Sequence, residues 1–135
     1  MSPAVLQLRI DNQGTKPLKW RRIKVRDDMT VTALANYLAV QFNSKTPFKL
    51  DLGDINWMSR RTLRDYRLKP SQIVIWRSST HSVVLLGKVE AILMYHPGEV
   101  YPMCLGKGQI TTYSSVLAME KNSEFLGLNW INYVN

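Results

Sequence analysis

Residues 5–26 read Val5-Leu6-Gln7-Leu8-Arg9-Ile10, then Asp11-Asn12-Gln13-Gly14-Thr15-Lys16-Pro17, then Leu18-Lys19-Trp20-Arg21-Arg22-Ile23-Lys24-Val25-Arg26. In the first piece apolar and polar residues alternate, which in an extended chain puts Leu6, Leu8 and Ile10 on one face. The middle piece has the Asp, Asn, Gly and Pro chemistry of a turn. The last piece alternates again, with Ile23 and Val25 on one face and Trp20, Arg22, Lys24 and Arg26 on the other. A hairpin is expected that turns one side to a core and shows cations and an aromatic ring on the other.

After the hairpin, Thr30 is a natural N-cap, with Asp27 and Asp28 near the positive end of a helix dipole. Val31, Leu34, Ala35, Leu38 and Phe42 then recur at helical spacing and form one apolar stripe. Pro47-Phe48-Lys49-Leu50-Asp51-Leu52 alternates as a short strand that ends at Gly53-Asp54. Residues 55–61 are expected to be loop, and Arg61-Thr62-Leu63-Arg64-Asp65-Tyr66 a single helical turn ended by Leu68-Lys69-Pro70. Ile73-Val74-Ile75-Trp76 is apolar without alternation, as in a strand buried on both faces, and so is expected inside a sheet.

Beyond the break at Ser78-Ser79-Thr80, Val83 to Tyr95 is mostly apolar with Gly87 within it, which predicts one long strand or two with a bulge. Tyr101 to Gln109 is expected to be loop, Thr112 to Lys121 a helix, and Phe125 to Val134 an apolar tail packed back on the sheet. No repeat or low-complexity segment is visible. The expectation is a single α+β domain spanning 1–135, with 78–135 packed as an extension on residues 1–77.

Composition bounds the function. Hydrophobic residues make up 45% of the chain and charged ones 21%, ordinary values for a globular protein. The opening Met1-Ser2-Pro3-Ala4 lacks a basic segment followed by apolar residues, and no apolar run reaches the roughly 18 residues of a membrane span. With Cys104 the single cysteine, no intrachain disulfide forms and a reducing, cytoplasmic setting is expected. Net charge is +8, unevenly placed: residues 1–80 hold 15 Lys and Arg against 6 Asp and Glu, a net +9, while residues 81–135 hold 3 against 4, a net −1. Such a one-sided field favours nucleic acid or an acidic protein surface as partner, with solubility alone as the alternative.

Two resemblances add to this. Hairpin, helix, short strand, long loop and strand follow one another as in a ubiquitin-like β-grasp domain, and Arg61-Thr62-Leu63-Arg64-Asp65-Tyr66 with the strand after it resembles ubiquitin's last loop and strand. The chain lacks ubiquitin's terminal Gly-Gly, so conjugation to a target is not implied. Separately, Lys16-Pro17-Leu18-Lys19-Trp20-Arg21-Arg22-Ile23 with Thr30 and Leu34 resembles the opening of the plasmid pRiA4b ORF-3-like family. Val83-Val84-Leu85, Lys88-Val89 and Pro97-Gly98-Glu99-Val100-Tyr101-Pro102-Met103-Cys104-Leu105-Gly106-Lys107 are similar to its later strand and its YPxCL-GK segment. The family's acidic stretch is replaced here by Ile75-Trp76-Arg77-Ser78-Ser79-Thr80, with only His81 kept after it. The family travels on plasmids and insertion elements as a passenger, so this resemblance implies a mobile-element setting rather than a mechanism.

No residues assemble into an evident active site. Nucleophilic catalysis by Cys104 would need His81 or His96 beside it, and a buried structural thiol is the plainer expectation. The lone cysteine and two isolated histidines do not make a metal site, and Gly106-Lys107-Gly108 lacks the glycine spacing of a phosphate-binding loop. A non-enzymatic protein without metal or cofactor is expected. The candidate binding residues are Lys19, Trp20, Arg21, Arg22, Lys24 and Arg26 on the hairpin, with Arg60, Arg61, Arg64, Arg67 and Lys69 in the long loop. Such a set suits a phosphate backbone, with Trp20 or Trp57 stacking on an unpaired base, if the cations gather into one patch. For each tryptophan taken alone a core role is the expectation. The other functional class is a protein-interaction module that docks through the sheet surface or an exposed edge strand.

Overall fold

The computed structural model describes residues 3–13, 18–45, 48–50, 61–78, 84–110 and 125–126. Strand β1 (Ala4–Asn12) pairs antiparallel with β2 (Leu18–Arg26), Leu8 opposite Ile23 and Leu6 opposite Val25. Helix α1 (Val31–Gln41) follows, then β3 (Phe48–Leu50), a 3-10 turn at Leu63–Tyr66, and β4 (Ile73–Ser78). Strands β5 (Val84–Met94), β6 (Met103–Ile110) and β7 (Phe125–Leu126) complete one sheet in the order β3-β4-β5-β1-β2-β6, with β7 also against β4. All pairings are antiparallel except that of β7 with β4. Among the described residues the chain is thus an α+β fold, one α-helix packed on a largely antiparallel sheet.

The helix sits where its stripe requires. Thr30 caps it by accepting the Ala33 amide at 3.1 Å. Val31, Leu34, Ala35 and Leu38 are buried against Leu6, Leu8, Ile10, Ile23 and Val25. Asp27 and Asp28 do not serve the helix end. The carboxylate of Asp27 takes the Ala4 amide and Arg64, and that of Asp28 takes Arg26.

Ile73, Val74, Ile75 and Trp76 are all buried, as an apolar run without alternation demands of a strand flanked on both sides. Trp76 lies directly over Gly87, where a Cβ would come within 2.6 Å of the ring. Gly87 is therefore a seat for the indole. The irregularity in the long strand lies elsewhere, because β1 steps from Gln7 opposite Ala91 to Leu8 opposite Val89 and leaves Glu90 as the extra residue.

Three expectations change. Asp11 and Asn12 continue β1 instead of opening the turn, since Asp11 is fully buried and paired with Arg9 at 3.2 Å. Residues 103–110 form strand β6 instead of a loop. The glycines that suggested a loop are there because Trp20 lies across them, its ring 3.6 Å from a Cβ position at Gly106 and 2.9 Å from one at Gly108. Third, the strand order departs from a plain ubiquitin-like β-grasp, since the long strand β5 stands between β1 and β4 and is antiparallel to both. The helix expected over Thr112 to Lys121, most of the tail, Trp57, Arg60 and His81 lie outside the described residues. Among those described, no helix is long and apolar enough to cross a membrane.

Candidate binding surface

The alternation in β2 divides the predicted cations between two faces of the sheet. Trp20, Arg22, Lys24 and Arg26 point away from α1. Lys19 and Arg21 share the parity of Ile23 and Val25 and so lie on the helix side, past the end of the core.

On the face away from the helix the cations are largely met by carboxylates. Arg22 holds Glu90 through Nε at 2.7 Å and Nη2 at 2.9 Å, and Gln7 donates to the same carboxylate at 3.1 Å. Burial pushes the Glu90 carboxyl up, but the hydrogen bonds from Arg22 and Gln7 outweigh it and hold the group below its ordinary value. Lys24 reaches Glu99 at 3.4 Å, and Arg26 makes a two-point pair with Asp28 at 3.0 and 2.7 Å. The bond from Arg26 lowers the Asp28 carboxyl in turn. Arg26 also lies over the Tyr95 ring at 5.2 Å.

Trp20 is not a free stacking platform. Gly106 and Gly108 lie against its ring, and the guanidinium groups of Arg9 and Arg22 stand 5.2 and 5.5 Å from its centroid. The indole works as a wedge between β2 and β6, with cations over the ring.

The long-loop residues gather at the other end of β2. The Arg64 amide binds the Asp27 carbonyl at 2.7 Å, and its side chain pairs with the Asp27 carboxylate at 2.9 and 3.3 Å. Arg61 lies over the Tyr66 ring at 5.9 Å. Arg67, in the left-handed region with φ 51°, and Lys69 are exposed nearby. Between this group and Lys19 lies the length of β2, about 25 Å at 3.3 Å per residue. Among the described residues the cations therefore do not merge into one strip.

A second cluster was only half legible in the sequence. Lys19 and Arg21 line an open pocket of about 380 Å³ together with Lys107, Gly108 and Gln109 of β6. Arg21 is held in place by the carbonyls of Trp20 at 2.9 Å and Gln41 at 3.1 Å, with its guanidinium over the Phe42 ring at 5.1 Å. Lys107 comes from a part of the chain with no net positive charge. It joins the cluster because the β2–β6 register sets it opposite Arg21. The alternation of Lys107 and Gln109 around glycine was the signal that would have found it.

Cys104 is exposed, contrary to the buried thiol expected, and its Sγ lies 3.5 Å from the Gly106 carbonyl. It sits opposite Ile23 on β6, which is the edge strand among the described residues. His96 is exposed too, its amide donating to the Tyr101 hydroxyl at 3.3 Å. Among the described residues, no three His, Cys, Asp or Glu side chains group to hold a metal ion.

Comparison with known proteins gives a fold and no more. No family model and no curated protein matches the chain. It is similar in structure to a protein of unknown function from Methanosarcina mazei Go1, at 17% identity and a TM-score of 0.64 over 89% of this chain and 79% of that one.

Proposed function

We propose that the chain is a non-enzymatic interaction module that docks an acidic partner protein on the margin formed by β2 and β6. The observation that carries this is the pocket of Lys19, Arg21 and Lys107, whose remaining lining residues Gly108 and Gln109 are uncharged. Binding to a nucleic-acid backbone draws on the same field, and the net charge of +8 supports it as the competing reading. It is the weaker of the two because Arg22, Lys24, Arg26 and Arg64 already have carboxylate partners. A phosphate backbone gains from a long run of cations whose counterions are not already supplied by the protein.

The finer fold reading belongs to the same proposal: the first half is a β-grasp variant in which β5 has been inserted between the first strand and the strand after the long loop. The proposed setting is a mobile element and the cytoplasm of its host, a reading that draws on the resemblance to the pRiA4b ORF-3-like family.

The test is a salt titration of binding to generic duplex DNA, single-stranded DNA and a polyglutamate chain, with Lys107→Glu and, in the loop that leads into β4, Lys69→Glu. Polyglutamate is expected to bind at low salt. Lys107→Glu is expected to cost about 1 kcal/mol, roughly fivefold in affinity, and Lys69→Glu little. Tight DNA binding with a steep salt slope, equally sensitive to both substitutions, would transfer the function to nucleic acid.

A further inference from the structure

We infer that β6 receives an extended acidic segment of the partner as an added strand, a mode of docking that rests on the acidic-partner reading and specifies it. Among the described residues strand β6 closes the sheet order and pairs with β2 along one side, while Leu105 is 43% exposed and Cys104, Lys107 and Gln109 are exposed as well. An edge of this kind offers every second backbone N–H and C=O to an incoming strand.

The usable length is set by the register. Between Arg22 and Ile23 the β2–β6 pairing slips, with Leu105 as the extra residue, so the ladder runs regularly from Gly106 to Ile110. That is about 17 Å of strand, enough for five residues of a guest. Gly106 and Gly108 put no side chain of their own on the face away from the helix, where the Trp20 ring lies across them, so from Gly106 to Gln109 only Lys107 and Gln109 offer side chains to a guest.

Charge decides which guest fits. Lys107 stands on the helix side of the edge with Lys19 and Arg21 next to it around the pocket. A second copy of this chain, pairing β6 antiparallel against β6 over Gly106 to Ile110, would set Lys107 opposite Gln109 and diagonal to its own counterpart, within reach of a long side chain, so that the two like charges repel. Lysine on an edge is a common guard against such self-pairing. A guest with Asp or Glu at alternate positions turns the guard into a contact, because its side chains on the helix side then meet Lys107 and reach toward the pocket.

The experiment uses the full chain and a fluorescein-labelled peptide of alternating Glu and Val, followed by anisotropy, with amide shifts recorded by NMR. Three comparison peptides are included: the same sequence N-methylated at every second residue in each of the two registers, and an alternating Lys-Val peptide. Binding is expected with shifts centred on Gly106 to Gln109, lost about tenfold or more by N-methylation in one register and much less in the other. The Lys-Val peptide is expected not to bind, and Lys107→Glu to weaken the Glu-Val peptide. If both methylated peptides bind as well as the parent and all three are weakened by Lys107→Glu, strand addition is wrong while the acidic-partner reading stands. No binding at low salt overturns both, and binding of duplex DNA in its place hands the site to nucleic acid.

Discussion

Two glycines two residues apart on β6 should respond in opposite directions to the same substitution. At Gly108 an added Cβ would stand 2.9 Å from Trp20 Nε1, 3.0 Å from Cε2 and 3.1 Å from Cζ2, closer than neighbouring atoms tolerate. At Gly106 the nearest ring atoms are 3.6 and 3.7 Å away, an ordinary contact. Overfilling a packed site costs about 1–3 kcal/mol, while replacing Gly by Ala returns roughly 0.4–1 kcal/mol by restricting the unfolded chain. Gly108→Ala should therefore destabilise by about 0.5–2 kcal/mol, toward the low end if the half-buried indole swings outward. Gly106→Ala should be neutral or stabilise by up to about 1 kcal/mol. For a domain of this size, that is a melting temperature lower by roughly 2–10 °C in the first case and unchanged or a few degrees higher in the second. Thermal unfolding followed by far-UV circular dichroism, with near-UV spectra to report the tryptophan environment, separates them. Equal melting temperatures for the two variants would mean that Trp20 does not lie across β6, and the wedge argument would fall with it.

Acid should weaken the fold through Glu90. Its carboxyl is held below its ordinary value of 4.5, so its stabilising contribution is complete above that pH and disappears as pH falls through the lowered value. Urea unfolding of the parent and Glu90→Gln should differ by about 1 kcal/mol at neutral pH, a figure reduced for the solvent that reaches Arg22, and converge in acid. A gap that persists at low pH would assign the effect to packing instead. Cys104, being exposed, should react fully with a water-soluble maleimide in the native protein. Labelling that waits for denaturant would contradict its place on the edge strand.

Local pattern carried much of the fold. The 2-residue period of Leu6, Leu8 and Ile10 and the helical stripe from Val31 to Leu38 name the core face of each element, because side-chain direction follows from backbone geometry within a few residues. The unbroken apolar run at Ile73–Trp76 marks an interior strand for the same reason. Partners chosen at long range were not legible. Gly106 and Gly108 read as loop residues until Trp20, on another strand, supplies the ring that fills their missing side chains. Asp11 reads as a turn residue until Arg9 and burial make it part of a strand. Nothing near β4 in the chain announces that β5, rather than β4, lies beside β1.

The candidate site failed to be legible for a sharper reason, which also indicates where to look for function. The sequence places +9 in residues 1–80 and −1 in the remainder, and a count of this kind treats each half as a separate body. Folding interleaves them. Glu90 and Glu99, from the second part, meet Arg22 and Lys24 across 68 and 75 residues of chain. Lys107, from that same part, instead joins Lys19 and Arg21. The sheet thus spends its long-range carboxylates on the face away from the helix and adds a cation on the helix side. Because Coulomb attraction between exposed groups is screened within about 10 Å in ordinary salt, a distant polyanion responds to what remains after this local matching. Lys107, which folding brings to the margin of β2 and β6, adds a cation there, so charge reversal at Lys107 should perturb binding more than reversal at any of the paired arginines does once folding is accounted for.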